Sequence, residues 1–177
     1  YMNRMIVLIT GASHTGKTVL AQKLLEKYHY PYLSIDHLKM GLIRSGNTEL
    51  TPMDDDKLTG YLWPIVREMV KTAIENKQNL IVEGCYIPAE WRRDIDQRYL
   101  EHIKFICLAM SEEYIEDHFD AIIVHESEVE NRFIKADCTA DDLKQCNRWF
   151  IDLFSSVGEK VVIIEDDFDK TLAKLLD

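Results

Sequence analysis

The chain has 177 residues, a formal charge of −10, 46% hydrophobic and 29% charged residues. That length is enough for one domain, 1–177, to bury a core without staples. The acidic balance speaks against nucleic acid or an anionic membrane surface as partner, since both call for a basic face.

No apolar run approaches the ~20 residues that span a bilayer. The run MIVLIT, at 5–10, is too short for a signal peptide and leads straight into a glycine loop. Cys85, Cys107, Cys138 and Cys146 form no C-x-x-C pair and show no metal-type spacing. The expectation is a cytoplasmic protein with reduced thiols.

In chain order, the apolar run 5–9 predicts a first buried strand, followed by GASHTGKT. Gly11, Gly16, Lys17 and Thr18 stand at the spacing G-x-x-x-x-G-K-[ST], and the next residues, 16–28, have helical periodicity. A phosphate chain needs many donors around it. Backbone N–H groups of a glycine-rich turn and a helix N-terminus supply them. Gly11, Ala12, Ser13, His14, Thr15 and Gly16 are thus expected to cradle the phosphates of ATP. Lys17 would reach the β- and γ-phosphates, and the Thr18 hydroxyl would ligate Mg²⁺.

Residues 31–35 predict a weaker second strand. Asp36 follows it, with Lys39 and Arg44 on a helix over 37–45. Asp36 has two readings, which are compatible. It either caps that helix or meets a substrate hydroxyl and deprotonates it. Asp54, Asp55 and Asp56 read as a solvated loop capping a helix over 56–77, in which Pro64 suggests a kink or a start. The strand 79–83 ends at Glu83 and Gly84. Glu83 is placed to hold Mg²⁺ through water or to bond the phosphoryl acceptor, and Gly84 to let the chain turn closely over it.

A short helix over 89–99 carries Arg92 and Arg93, which cannot share one face. Arg92 is retained as a substrate-binding candidate. A strand over 103–109 precedes helices over 112–125 and 140–156, the second opened by a Thr139/Asp142 capping box and stopped near Gly158. A last strand covers 160–165. The run EDDFD beyond it reads as solvated surface. Short, β-branched, non-alternating strands separated by helices predict a doubly wound α/β sheet with its ligand at the carboxyl ends of the strands.

GASHTGKT, then SID after the second strand, VEG after the third and VVIIEDD at the last together resemble the nucleoside-monophosphate-kinase-like group of P-loop kinases. That group includes adenylate, shikimate and gluconate kinases, chloramphenicol phosphotransferase and zeta-toxin-type kinases. The resemblance covers almost the whole chain, although its specificity lies in the glycine loop. It implies a three-layer α/β sandwich with a five-stranded parallel sheet of order 2-3-1-4-5 and a short helical lid near 112–138. It further implies ATP and Mg²⁺ as cofactors and a small-molecule phosphoryl acceptor. Lys17 and Thr18 match the group's phosphate and Mg²⁺ ligands, Asp36 its acceptor-side acid, and Glu83-Gly84 its acceptor-side turn. Arg132 is the lid candidate that would complete catalysis with Lys17 and Asp36. The sequence departs from adenylate kinases in lacking an arginine in EGCYIP and in its sparse lid arginines. The readings carried forward are a kinase acting on a hydroxyl, with a nucleoside monophosphate kinase or a non-catalytic ATP-binding switch as alternatives.

Overall fold

A computed structural model describes residues 6–129 and 138–176, with the backbone alone at 125–129. Arg132 lies outside the described residues. Five strands form one sheet: β1 (Ile6–Gly11), β2 (Tyr32–Ser34), β3 (Leu80–Glu83), β4 (Ile103–Met110) and β5 (Val161–Ile164). Their order is β2-β3-β1-β4-β5, and every neighbouring pair is parallel. This is the expected sheet, and the reason is visible in the strands. Ile6, Val7, Leu8 and Ile9 are all buried. Successive side chains point to opposite faces, so a fully apolar strand needs cover on both.

On one face α1 (Lys17–Tyr28) and the C-terminal α7 (Phe168–Leu175) pack against Val7, Ile9, Ile106 and Leu108. On the other, α2 (Ile35–Arg44), α3 (Asp55–Glu75), a 3₁₀ turn (Trp91–Asp94) and α4 (Gln97–Leu100) bury Ile6, Leu8 and Val82. Phe150 and Phe154 of α6 (Ala140–Ser156) close that layer over Cys107. The remaining helix, α5 (Glu112–Val129), occupies the segment between β4 and β5 where the lid was expected. Among the described residues no helix is long and apolar enough to cross a membrane.

Several boundaries differ from the sequence reading. The helix after β2 starts at Ile35 rather than 37, because Ser34 takes the capping role and accepts from the His37 N–H. Pro64 starts nothing: α3 already begins at Asp55 and runs through it. The expected single helix over 89–99 is broken into the 3₁₀ turn and the one-turn α4, with Ile95 extended between them. There Asp94 accepts the indole N–H of Trp63 at 2.8 Å, a tertiary bond that competes with helix continuation.

EDDFD is not mere surface. Asp167 caps α7 by accepting from the Lys170 N–H at 2.9 Å, and Phe168, Leu172 and Leu175 face the core at helical spacing.

The Thr139/Asp142 capping box is present, but the buried face of α6 holds a polar residue among its apolar ones. Asn147 is 1% exposed; its amide donates to Leu143 O at 2.8 Å and its oxygen accepts the Met110 N–H at 2.7 Å. The bond secures the last residue of β4. Asn147→Leu therefore strands a buried backbone donor, and unfolding in urea should show a loss of about 1–3 kcal/mol. An unchanged midpoint would mean that Met110 finds another partner.

Candidate functional site

The glycine loop begins where β1 meets β4. Gly11 is in register with Leu108, and a Cβ on Gly11 would lie 2.0 Å from the Leu108 carbonyl oxygen. Only glycine lets the two backbones come that close. Ala12 N–H then donates to the same carbonyl at 3.1 Å, which turns the chain out of the sheet. His14 and Gly16 are left-handed, with φ of 67° and 78°, and α1 starts at Lys17. The loop is braced internally. The Thr15 hydroxyl donates to Ala12 O at 2.8 Å, Lys17 Nζ to the same oxygen at 2.7 Å, and Ser13 Oγ lies 2.9 Å from His14 Nδ1. Lys17 is thus folded back over its own loop.

Behind the loop lies Glu83, 1% exposed at the end of β3. Its Oε1 accepts from the Thr18 hydroxyl at 3.2 Å and from the Tyr32 hydroxyl at 2.6 Å. Three elements thus meet at one carboxylate: the first turn of α1, the start of β2 and the end of β3. Register carries the arrangement sideways. Glu83 pairs with Ile9 on one side and with Ser34 on the other, so Asp36, two residues past Ser34, belongs to the same sheet end as Lys17 and Thr18. Gly84 makes room for this. Its N–H donates to Ile9 O at 3.0 Å, and a Cβ there would lie 2.8 Å from the Ile35 Cβ.

With Ser34 as the cap, the Asp36 carboxylate turns to a neighbour: Lys39 Nζ donates to Asp36 Oδ1 at 2.8 Å and to the Tyr86 hydroxyl at 2.9 Å. Tyr86 in turn donates to Asp55 Oδ1 at 3.1 Å. Burial, with the nearby Cys85, Asp55 and Asp36 adding to it, pushes the Tyr86 phenol far above its ordinary range. It is a neutral O–H at any working pH.

Other sequence candidates stand elsewhere. Arg44 is exposed in the last turn of α2, about 12 Å along the helix axis from Asp36. Arg92 is stacked 4.4 Å from the centre of the Trp91 ring and makes a bidentate pair with Glu159 ahead of β5.

The sequence reading passes over Tyr32 and Tyr86 and takes Asp55 only as part of a solvated loop, whereas Asp55 stands in the first turn of α3 and accepts from Tyr86. Asp54 does not cap α3 with its side chain, which takes the Thr51 N–H and hydroxyl at 2.8 Å instead, and Asp55 and Asp56 belong to the first helical turn rather than to a loop. A tyrosine beside a signature acid was the available signal, but which carboxylate each phenol meets depends on strand order.

No protein-family model matches this chain, and no curated protein matches it. Solved structures do. A shikimate kinase from Bacteroides thetaiotaomicron is 15% identical, covers 97% of this chain and 96% of its own, and superposes with a TM-score of 0.56. A sugar kinase from Janibacter sp. is 15% identical over 97% of this chain and 92% of its own, at 0.55. A gluconokinase from Sinorhizobium meliloti is 17% identical over 99% and 95%, at 0.54. At these identities the likeness establishes the fold, which is that of P-loop kinases.

Cys107 lies against the loop from beneath. It is fully buried, and its thiol is pushed up to about 12 chiefly by that burial, with Glu159 adding and Lys17 opposing. At pH 8 the folded protein should leave Cys107 unalkylated by iodoacetamide while Cys138 reacts, and urea should expose both. Mass spectrometry of native and unfolded samples reads this directly. Native labelling of Cys107 at the Cys138 rate would refute it.

Proposed function

We propose that the protein is an ATP-dependent small-molecule kinase, transferring the γ-phosphoryl group of Mg·ATP to a hydroxyl. One observation carries the reading: Thr18, at the head of the phosphate loop, is bonded to buried Glu83 on the sheet end that also bears Asp36. A phosphate cradle and an acid suited to a hydroxyl substrate share one edge. A protein that only sensed ATP would have no use for the second. The shared fold with shikimate, sugar and gluconate kinases supports the reading.

The donor set fits the implied cofactors. Mg²⁺ takes hard oxygen ligands, keeps several waters and needs only one or two protein groups beside the phosphates. The Thr18 hydroxyl and the Glu83 carboxylate are such groups, and Mg²⁺ held there would neutralise charge on the phosphates. The loop from Gly11 to Thr18, with its backbone N–H groups and the N-terminus of α1, suits a polyphosphate.

Each residue then has a role. Lys17 releases Ala12 O and follows the charge of the transferring phosphoryl. Tyr32, bonded to Glu83, would hold that carboxylate in place if Thr18 and Glu83 served a bound Mg²⁺. Asp36 orients the substrate hydroxyl. It takes that proton as the hydroxyl oxygen bonds to the γ-phosphorus and the bond to the β,γ-bridging oxygen breaks, leaving ADP. Lys39 fixes the rotamer of Asp36 through their 2.8 Å bond. Gly84 lets Ile35 pack against the turn, which holds the head of α2, and Asp36 with it, close to the end of β3.

Acceptor-dependent ADP release is the test. Lys17→Ala should abolish transfer in a folded protein, because no other group in the loop carries its charge; retained turnover would sink the mechanism. Asp36→Asn should keep ATP affinity and lose about 10²–10⁴-fold in kcat, the usual worth of a general base. A protein that merely binds ATP has no such turnover to lose. Tyr32→Phe removes one of the two donors on Glu83 Oε1, and should weaken Mg²⁺ dependence by about tenfold without unfolding the sheet. A Mg²⁺ titration of ATP binding, read by fluorescent-nucleotide displacement, checks it independently of turnover.

A further inference from the structure

The acceptor edge carries more polar structure than proton removal requires. Lys39 on α2, Tyr86 in the loop after β3 and Asp55 in the first turn of α3 form a continuous row with Asp36. Lys39 Nζ also lies 4.9 Å from the centre of the Tyr86 ring, so the ammonium is held by a carboxylate, a phenol oxygen and a π-face together. Its side chain is 13% exposed and that of Asp36 is 17% exposed. Tyr86 itself is buried, 5% exposed, whereas Asp55, which its hydroxyl meets, is exposed.

A phosphoryl acceptor that carried a carboxylate or phosphate would have to compete with Asp36 for Lys39, breaking a partly buried ion pair, and would then lie close to Asp55. Both effects oppose an anion. A hydroxyl meets neither obstacle. It donates to a carboxylate and accepts from an ammonium or a phenol. The row offers these in alternation: Asp36 accepts, Lys39 donates, Tyr86 does both, and Asp55 accepts. Three hydrogen bonds end to end span at most about 9 Å, the scale of one sugar ring with its substituents.

We propose that the phosphoryl acceptor is an uncharged polyhydroxyl compound of monosaccharide size, one hydroxyl held by Asp36 and a second read by Tyr86 and Asp55. The inference rests on the kinase reading and names the substrate class for the same site. The first hydroxyl gives its proton to Asp36 as its oxygen takes the phosphoryl group and ADP departs. The second stays unmodified and fixes the register of the molecule. Asp55 is thus a specificity-determining residue, set on a helix that supplies nothing to the phosphate loop.

The test uses the full chain and Asp55→Asn, a conservative change at an exposed first-turn position. Each is assayed for ADP release from Mg·ATP with uncharged aldoses, ketoses and alditols, and with the sugar acids and phosphate esters derived from them. The expected result is a responding uncharged compound with kcat/KM at least tenfold above its own acid and ester. Asp55→Asn should raise the KM for that compound about tenfold, narrow its advantage over the acid, and leave ATP affinity unchanged.

Preference for an acid or a phosphate ester overturns the proposal, as does an Asp55→Asn variant with unaltered KM and selectivity. Silence across the uncharged panel also overturns it. Equilibrium dialysis with ATP then separates the two levels. If the wild type binds ATP and an acid, a phosphate ester or a nucleoside monophosphate still drives ADP release, the polyol inference alone has failed; if ATP binds and nothing drives release, the kinase reading fails with it. If the wild type binds no ATP, the kinase reading has failed with it.

Discussion

A carboxylate that is almost fully buried must be met by hydrogen-bond donors, or the cost of its burial goes uncompensated. Glu83 is such a group, and the rest of the site depends on how it is met. Thr18 reaches it from the head of α1 and Tyr32 from the adjacent strand. The phosphate loop, the inner strand β3 and the edge strand β2 are joined at one oxygen. Moving β3 would strand both donors, and moving either of the others would strip Glu83 of one.

That joint is possible because the sheet order puts β3 between β1 and β2. The connection from β1 to β2 skips a position, and β3 fills it later in the chain. Parallel register then sets Ile9, Glu83 and Ser34 side by side. The polar residues just past each strand end, Thr18 after the loop and Asp36 after Ser34, share one rim. The two glycines whose Cβ atoms would collide with Leu108 and Ile35 mark where backbone and helix come closest around that rim. The rim divides by chemistry. Its inner half is a braced loop suited to phosphate. Its outer half, from Asp36 to Asp55, is a row of alternating donors and acceptors whose one described ammonium is already matched by a carboxylate. A loop of the first kind is common to nucleotide-binding proteins, whereas the row is the part that the proposed polyol would read.

The stabilising layers follow the same economy. Asn147 gives up an apolar position in α6 to finish β4, and α7 covers the underside of the loop with Phe168 beside Gly16. Neither feature touches the proposed chemistry. Both hold the strand ends from which the loop departs.

The sequence by itself determined the elements and the loop. Continuous β-branched runs require burial on both faces, and the pattern Gly11, Gly16, Lys17, Thr18 carries its own local geometry; both are short-range effects. Even α7 was legible in the spacing of Phe168, Leu172 and Leu175, had its charges not dominated the reading. The five-stranded order followed from the family resemblance, and the hydrogen-bonded pairing is the same. What only the tertiary structure decided is partnership. Asp36 could cap a helix or face a ligand until Ser34 took the cap. Arg92 seemed as eligible as Lys39 until it met Glu159. Tyr32 and Tyr86 carry no signature in the sequence, and their partners, Glu83 and Asp55, are set by the fold. Each is a choice among competing partners distant in sequence, 31 to 67 residues for those three long-range pairs. Such choices are settled by which strands lie adjacent and in what register, information that no local spacing contains.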